Sequence, residues 1–244
     1  MSSLLVIRHA QASFLGADYD VLSPLGEEQA RVLGRAWAAE GRAPDRVYVG
    51  PRRRQRQTAE AVGEAYRAAG VPWPEPQLLD ALDEHSGQFV VDHAVAAYYD
   101  RYPELRVLAD RSDGSGPPSP ERRKALQVYF RVFREITRAW IREELETPPE
   151  LEPWAAFRAR IEGAVRRIVD GGGRGELVFA FTSGGPVAVS TGLALELADE
   201  KVLELSWRVR NTAYAEIVWS EEGLALNAFN AIEHLAEPRL VTYI

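Results

Sequence analysis

Apolar positions change their period several times along the chain. Leu4-Leu5-Val6-Ile7 is a short continuous apolar run, the pattern of a buried parallel strand, and it ends in Arg8-His9. A polar loop follows. From Ser23-Pro24, an N-cap and first-turn pair, the apolar positions Leu25, Ala30, Leu33, Ala36 and Trp37 recur at helical spacing until Gly41. Arg46 to Gly50 reads as a second strand, Arg53 to Ala69 as a helix closed by Gly70, and Gln77 to Leu82 as a third strand. Strand, helix, strand, helix, strand predicts an α/β fold built on a parallel sheet.

From His85 to Leu151 the rhythm breaks. Helical patterns over His93 to Tyr102 and Ser119 to Leu145 flank the Gly/Ser/Pro-rich stretch that runs from Asp113 to Ser119. Such an insertion reads as a lid beside a sheet edge. The alternation resumes with a helix over Pro153 to Val169, a strand over Leu177 to Thr182 and a helix over Gly185 to Leu197. Thr212 to Trp219 and Leu224 to Phe229, around Glu221-Glu222-Gly223, predict a hairpin added to the sheet. That hairpin leaves an edge for a partner, so the oligomeric state stays open. There is no internal repeat.

Composition narrows the chemistry. With 244 residues and 46% apolar content the chain can bury a substantial core, which excludes a disordered tail. It has no cysteine, which removes disulfides, thiolate metal sites and cysteine nucleophiles, and only four histidines: His9, His85, His93 and His234. A net charge of −7 argues against nucleic acid as a partner. No run is long enough for a membrane span and the N-terminus lacks a secretion signal, so the expected location is the cytoplasm.

His9 is the most informative position, because ligands of open α/β sheets bind at the carboxyl ends of strands. A histidine there is often only structural, but Arg8 beside it is poor for stability and good for gathering an anion. The second strand ends at Gly50-Pro51, followed by Arg52, Arg53, Arg54 and Arg56 at a helix start. Individually, Arg52, Arg53 and Arg56 read as solvated; as a cluster opposing the helix dipole they suggest that at least one serves a ligand. A third strand end carries Ser183-Gly184-Gly185-Pro186, which exposes backbone N–H groups. The cluster Gly171 to Gly175 precedes a strand and is a helix stop, and no Walker or dinucleotide glycine motif is present. Glu84 and His85 follow the third strand. By position Glu84 is equally a salt-bridge partner of the arginines or a general acid. Metal binding is disfavoured by the histidine spacing and the surrounding arginines.

Leu5-Val6-Ile7-Arg8-His9-Ala10, Leu22 to Ala30, Gly50-Pro51 with Arg54 to Ala59, Leu82-Asp83-Glu84, Asn211-Thr212 and His234-Leu235 together resemble the histidine phosphatase superfamily, of phosphoglycerate-mutase-like fold, nearly end to end. The resemblance implies one domain over 1–244, a three-layer α/β/α sandwich with a mostly parallel sheet and a helical lid insertion over 85–151. It implies that His9 attacks a small phosphomonoester and becomes a phosphohistidine, that Arg8 and Arg54 hold the phosphoryl oxygens, and that Glu84 protonates the leaving oxygen. No metal or organic cofactor is expected. Three positions depart from the family pattern. Ser183, followed by Gly184, stands where the family has a histidine; a serine donates one neutral hydrogen bond, which costs about 1–2 kcal/mol of transition-state stabilisation if nothing compensates. His85 is a candidate to compensate. Ala10 replaces the usual glycine, and Ala12 replaces a hydroxyl, with Ser13 one place further on.

The leading expectation is therefore a metal-independent phosphatase. A mutase passing the phosphoryl group between two hydroxyls and, because of Ser183, a non-catalytic phospholigand-binding protein are the alternatives. In the insertion, Tyr98, Tyr99, Arg101 and Arg106 are candidates to face substrate and equally to form a packed or solvated helix face.

Overall fold

Strand β1 (Ser2–Arg8) pairs in parallel with β4 (Leu177–Thr182) and antiparallel with β5 (Tyr214–Ser220). The computed structural model describes residues 1–13, 20–108 and 119–243. Among these the sheet has six strands in the order β3 (Gln77–Leu78), β2 (Arg46–Val49), β4, β1, β5 and β6 (Gly223–Ala231). Only β5 runs against its neighbours, so the sheet is mostly parallel.

Alternation along the strands sorts the core. Leu5, Ile7, Val47, Val49, Phe179 and Phe181 point to one face, where Leu33 and Trp37 of α1 (Pro24–Ala39) and Val62 and Tyr66 of α2 (Arg53–Ala68) cover them. Leu4, Val6, Val178 and Ala180, equally buried, take the opposite face, against which α6 (Gly184–Leu195) packs on β1. Helices α1 and α6 thus cover opposite faces of an α/β/α sandwich.

Local signals set the boundaries. Ser23 caps α1, its Oγ accepting from Gly26 N–H at 3.0 Å, with Pro24 in the first turn. Gly26 is required because a Cβ there would sit 2.0 Å from the Gln11 carbonyl oxygen. The predicted third strand is shorter than its pattern: only Gln77–Leu78 pair with β2, and Asp80–Leu82 form a 3-10 turn. Helix α7 (Asp199–Ser206) has no counterpart among the predicted elements; its few apolar positions, with Val202 and Leu203 buried, leave little periodic signal.

The described chain divides into two compact units, one of residues 1–13, 20–84 and 158–243, the other of residues 85–108 and 119–157. The second contains α3 (Gly87–Ala94), two 3-10 turns (Val95–Tyr98 and Pro103–Leu108), α4 (Pro120–Ile141) and the start of α5 (Trp154–Asp170). Its first helix begins six residues earlier than the pattern places it and gives way at Val95 to the 3-10 turns. Most of the Gly/Ser/Pro-rich stretch lies outside the described residues. Ser119 caps α4, and the α4 stripe Ala125, Val132, Ile136 and Trp140 is buried. No described helix is long and apolar enough to cross a membrane.

Candidate active site

The carboxyl ends of β1, β2 and β4 lie side by side, because Arg8 is in register with Thr182 and Val49 with Phe181. His9 continues β1 by one residue, its N–H donating to Thr182 O at 2.8 Å. Its ring is buried, 3% exposed. Nδ1 lies 2.7 Å from the Ala10 carbonyl oxygen. A carbonyl only accepts, so Nδ1 carries the ring proton and Nε2 presents its lone pair. That lone pair accepts from Arg54 Nε at 3.0 Å. Burial first, then the guanidiniums of Arg54 and Arg8, hold the His9 imidazole well below its usual range, so it is neutral at neutral pH.

Arg54 is buried in the first turn of α2, and its Nη1 donates to Asp20 Oδ1 at 2.7 Å. Arg8 donates through Nη1 to the carbonyls of Val209 and, at 2.8 Å, Tyr243. A Cβ on Gly184 would come within 3.8 Å of Arg8 Cδ and Nε, so this arginine runs beside the start of α6. Both guanidiniums act on the His9 imidazole, and Arg8 runs beside the N-terminus of α6, whose first-turn N–H groups favour an anion.

Ser183 is the residue before α6 and is fully buried. Its Oγ accepts from Gln55 Nε2 at 2.8 Å. Gln55 Oε1 in turn accepts from Arg52 N at 3.0 Å and presses against Gly50, where a Cβ would lie 2.3 Å away. An amide therefore reaches into the space next to Ser183, and the serine hydroxyl keeps its own proton for another acceptor.

Arg52 Nε and Nη2 meet Asp83 Oδ1 and Oδ2 at 2.6 and 3.0 Å. Arg160 donates to the carbonyls of Ala81 and Asp83, and Thr182 Oγ1 to that of Leu82, which fixes the turn before Glu84. Glu84 Oε2 accepts from Gly185 N–H at 3.2 Å, in the first turn of α6.

Ser13 Oγ donates to Leu22 O at 3.3 Å, inside the loop after His9. His85 belongs to the second unit, where its ring packs on Trp140, Trp154 and Phe157 and its Nδ1 accepts from Gly87 N–H. Arg106 pairs with Asp100 and lies over Tyr99, while Arg101 pairs with Glu135. Among the described residues no three His, Asp or Glu side chains gather as a metal site.

Sequence reasoning did not nominate Asp20, Gln55 or Thr58. Ala10 N–H donates to Thr58 Oγ1, which donates to Arg54 O, tying the loop after β1 to α2. A signal existed: Gln55 and Thr58 share the buried face of α2 with Ala59 and Val62. On the far side, Asn211 Nδ2 and Thr212 N–H both donate to His9 O. Thr212 holds φ of 58°, strained for a β-branched residue, with Oγ1 2.9 Å from His234 Nε2.

Burial pushes His234 down to about 4; Glu233 opposes the shift and Arg42 adds to it. Since the unfolded chain binds this proton near pH 6.5, stability is full above that pH and falls as pH drops toward 4. The expected loss is up to about 3 kcal/mol. Urea unfolding at pH 7, 5.5 and 4 should show it, and His234→Gln should flatten the slope; an unchanged slope would refute the assignment.

A neutral imidazole with two guanidiniums acting on it, beside a helix N-terminus at the carboxyl end of a mostly parallel sheet, suits an anionic ligand. The chain belongs to the histidine phosphatase superfamily (branch 1), which matches residues 4–139 and 131–232. Solved structures share its fold. A phosphoserine phosphatase mutant from Entamoeba histolytica, in complex with phosphoserine, is 17% identical, with a TM-score of 0.61 over 96% of this chain and 100% of that one. A mycobacterial glucosyl-3-phosphoglycerate phosphatase is 20% identical, with a TM-score of 0.60 over 95% and 100% of the two chains. A phosphoglycerate mutase from Bacillus anthracis is 16% identical, with a TM-score of 0.56 over 96% and 95%. No match is found among curated proteins.

Proposed function

We propose that the protein is a phosphatase that hydrolyses a small phosphomonoester through a phosphohistidine on His9. The observation that carries this reading is the unprotonated Nε2 of a neutral, buried imidazole, whose lone pair accepts from Arg54 Nε until the phosphoryl group takes that donor's place. In the first step Nε2 forms a bond to phosphorus as the ester P–O bond breaks. The positive charge that develops on the ring is met by Ala10 O through Nδ1–H. Arg8, Arg54, Ser183 Oγ and the N–H groups opening α6 at Gly184 take the phosphoryl oxygens, so catalysis rests on positioning and charge stabilisation.

Glu84 gives a proton to the leaving oxygen, which departs as an alcohol. In the resting site its carboxylate accepts from Gly185 N–H, in the first turn of α6. A phosphoryl anion entering there displaces the carboxylate and, as a like charge, favours its protonated form. In the second step water attacks phosphorus, Glu84 takes up the water's proton, and the N–P bond breaks to free His9 and inorganic phosphate. No step in this scheme calls on a metal.

Trapping is the test. Mixing the protein with an aryl phosphate, quenching in alkaline denaturant and mapping the adduct by mass spectrometry should place the phosphoryl group on His9. A site that binds phosphate but forms neither adduct nor product would support the non-catalytic reading and overturn this one. Faster discharge of the adduct by added phosphoglycerate than by water would favour the mutase.

A further inference from the structure

Asp20 is an unexpected neighbour for a phosphate pocket. Its Oδ1 accepts from Arg54 Nη1 at 2.7 Å and its Oδ2 from Arg53 N–H at 2.9 Å, in the first turn of α2. A carboxylate in an anion site either competes with the substrate or orients the cation, and guanidinium geometry decides between the two. Nε–H and Nη2 form one edge of the planar fork, while Nη1 stands at the opposite corner. Asp20 takes that far corner, and the Nε edge is the one turned to His9.

The backbone that follows Asp20 is tied down. Ala12 bridges to Leu22, Ser13 N–H donates to Val21 O at 2.8 Å, and Leu22 N–H donates to Gln57 Oε1 at 2.9 Å. The chain that leaves His9 therefore returns through Asp20 to the helix that carries Arg54. Arg54 is buried whereas Asp20 is about one-third exposed, which suits an anchor at the pocket rim.

We propose that Asp20 is a positioning residue for the phosphoryl-transfer step: by holding Nη1 it turns the Nε edge of Arg54 to the point where phosphorus meets His9. The inference rests on the phosphatase reading above. Without the anchor, the guanidinium keeps its charge but loses its aim, so alignment suffers while anion attraction does not. A pocket that has lost a negative charge also holds a phosphate anion at least as well.

The test compares wild type, Asp20→Ala and Asp20→Asn on an aryl phosphate, with orthophosphate binding measured by calorimetry. Asp20→Ala should lower kcat about ten- to a hundred-fold, the scale of a misplaced positioning group. Orthophosphate should bind as tightly or more tightly. Asp20→Asn, which keeps an acceptor for Nη1, should recover part of kcat. A kcat within about twofold of wild type, or a parallel loss of kcat and phosphate affinity as in a collapsed site, would overturn the inference alone. No turnover by the wild type would overturn the phosphatase reading, and the inference with it.

Discussion

Replacing His9 with alanine is expected to lower turnover of an aryl phosphate by about ten-thousand-fold or more, the scale seen when a covalent nucleophile is removed. His234 cannot substitute, because it bonds Thr212 behind the site. Stability should change little, because His9 is fixed mainly through its backbone, to Thr182 O and from Asn211 and Thr212. Steady-state assays with a thermal melt of each protein check both halves. Equal turnover in the two proteins would remove His9 from the reaction.

Arg54→Ala carries the next largest effect, about a hundred- to a thousand-fold in kcat/KM, the range for losing one preorganised charge contact to a transition state. Arg54→Lys should recover only a small part, because an ammonium lacks the rigid planar fork that presents separate donors to His9 Nε2 and Asp20 Oδ1. The pH profile supplies a second readout. His9 must be neutral to attack, and Arg54 is one of the groups that keep it so. With this cation removed, His9 holds its proton to higher pH, and the acid limb of kcat/KM moves upward. Burial and Arg8 remain, so the limb stays below the ordinary histidine value. An acid limb that is unmoved, or moves down, would show that Arg54 does not act on this imidazole.

Much of the architecture was legible because the core strands are short continuous apolar runs. Leu177–Thr182 matches its predicted span, and α1, α2 and α4 begin where Ser23, Arg53 and Ser119 indicate. Period alone failed where the chain bends. Gln77 to Leu82 is apolar enough to read as a strand, yet only its first two residues are in register with β2 before the chain turns. His93 to Tyr102 carries a helical pattern that becomes 3-10 turns at its centre. In the site, the strand-end residues were visible because parallel strands share one carboxyl edge.

Which acid serves which partner was not visible, since Asp83 and Glu84 are adjacent and the pairing depends on where the turn points each carboxylate. In the structure Asp83 takes Arg52, and Glu84 accepts from Gly185 N–H. The space beside Ser183 is likewise decided by Gln55, 128 positions away in sequence, an amide reading as an ordinary helix residue until α2 turns it inward.

By itself, then, the sequence determined an α/β chain with a histidine and an arginine at the first strand end, more arginines at the second, and a serine where the family has its other histidine. These are local patterns, written within a few residues of one another. Only the tertiary structure decided the state of the site: which imidazole nitrogen is unprotonated, which edge of Arg54 faces it, and that Asp20 holds the other corner. Hydrogen-bond direction depends on atoms brought to within about 3 Å by segments far apart in the chain, and no spacing along one strand or helix encodes that meeting.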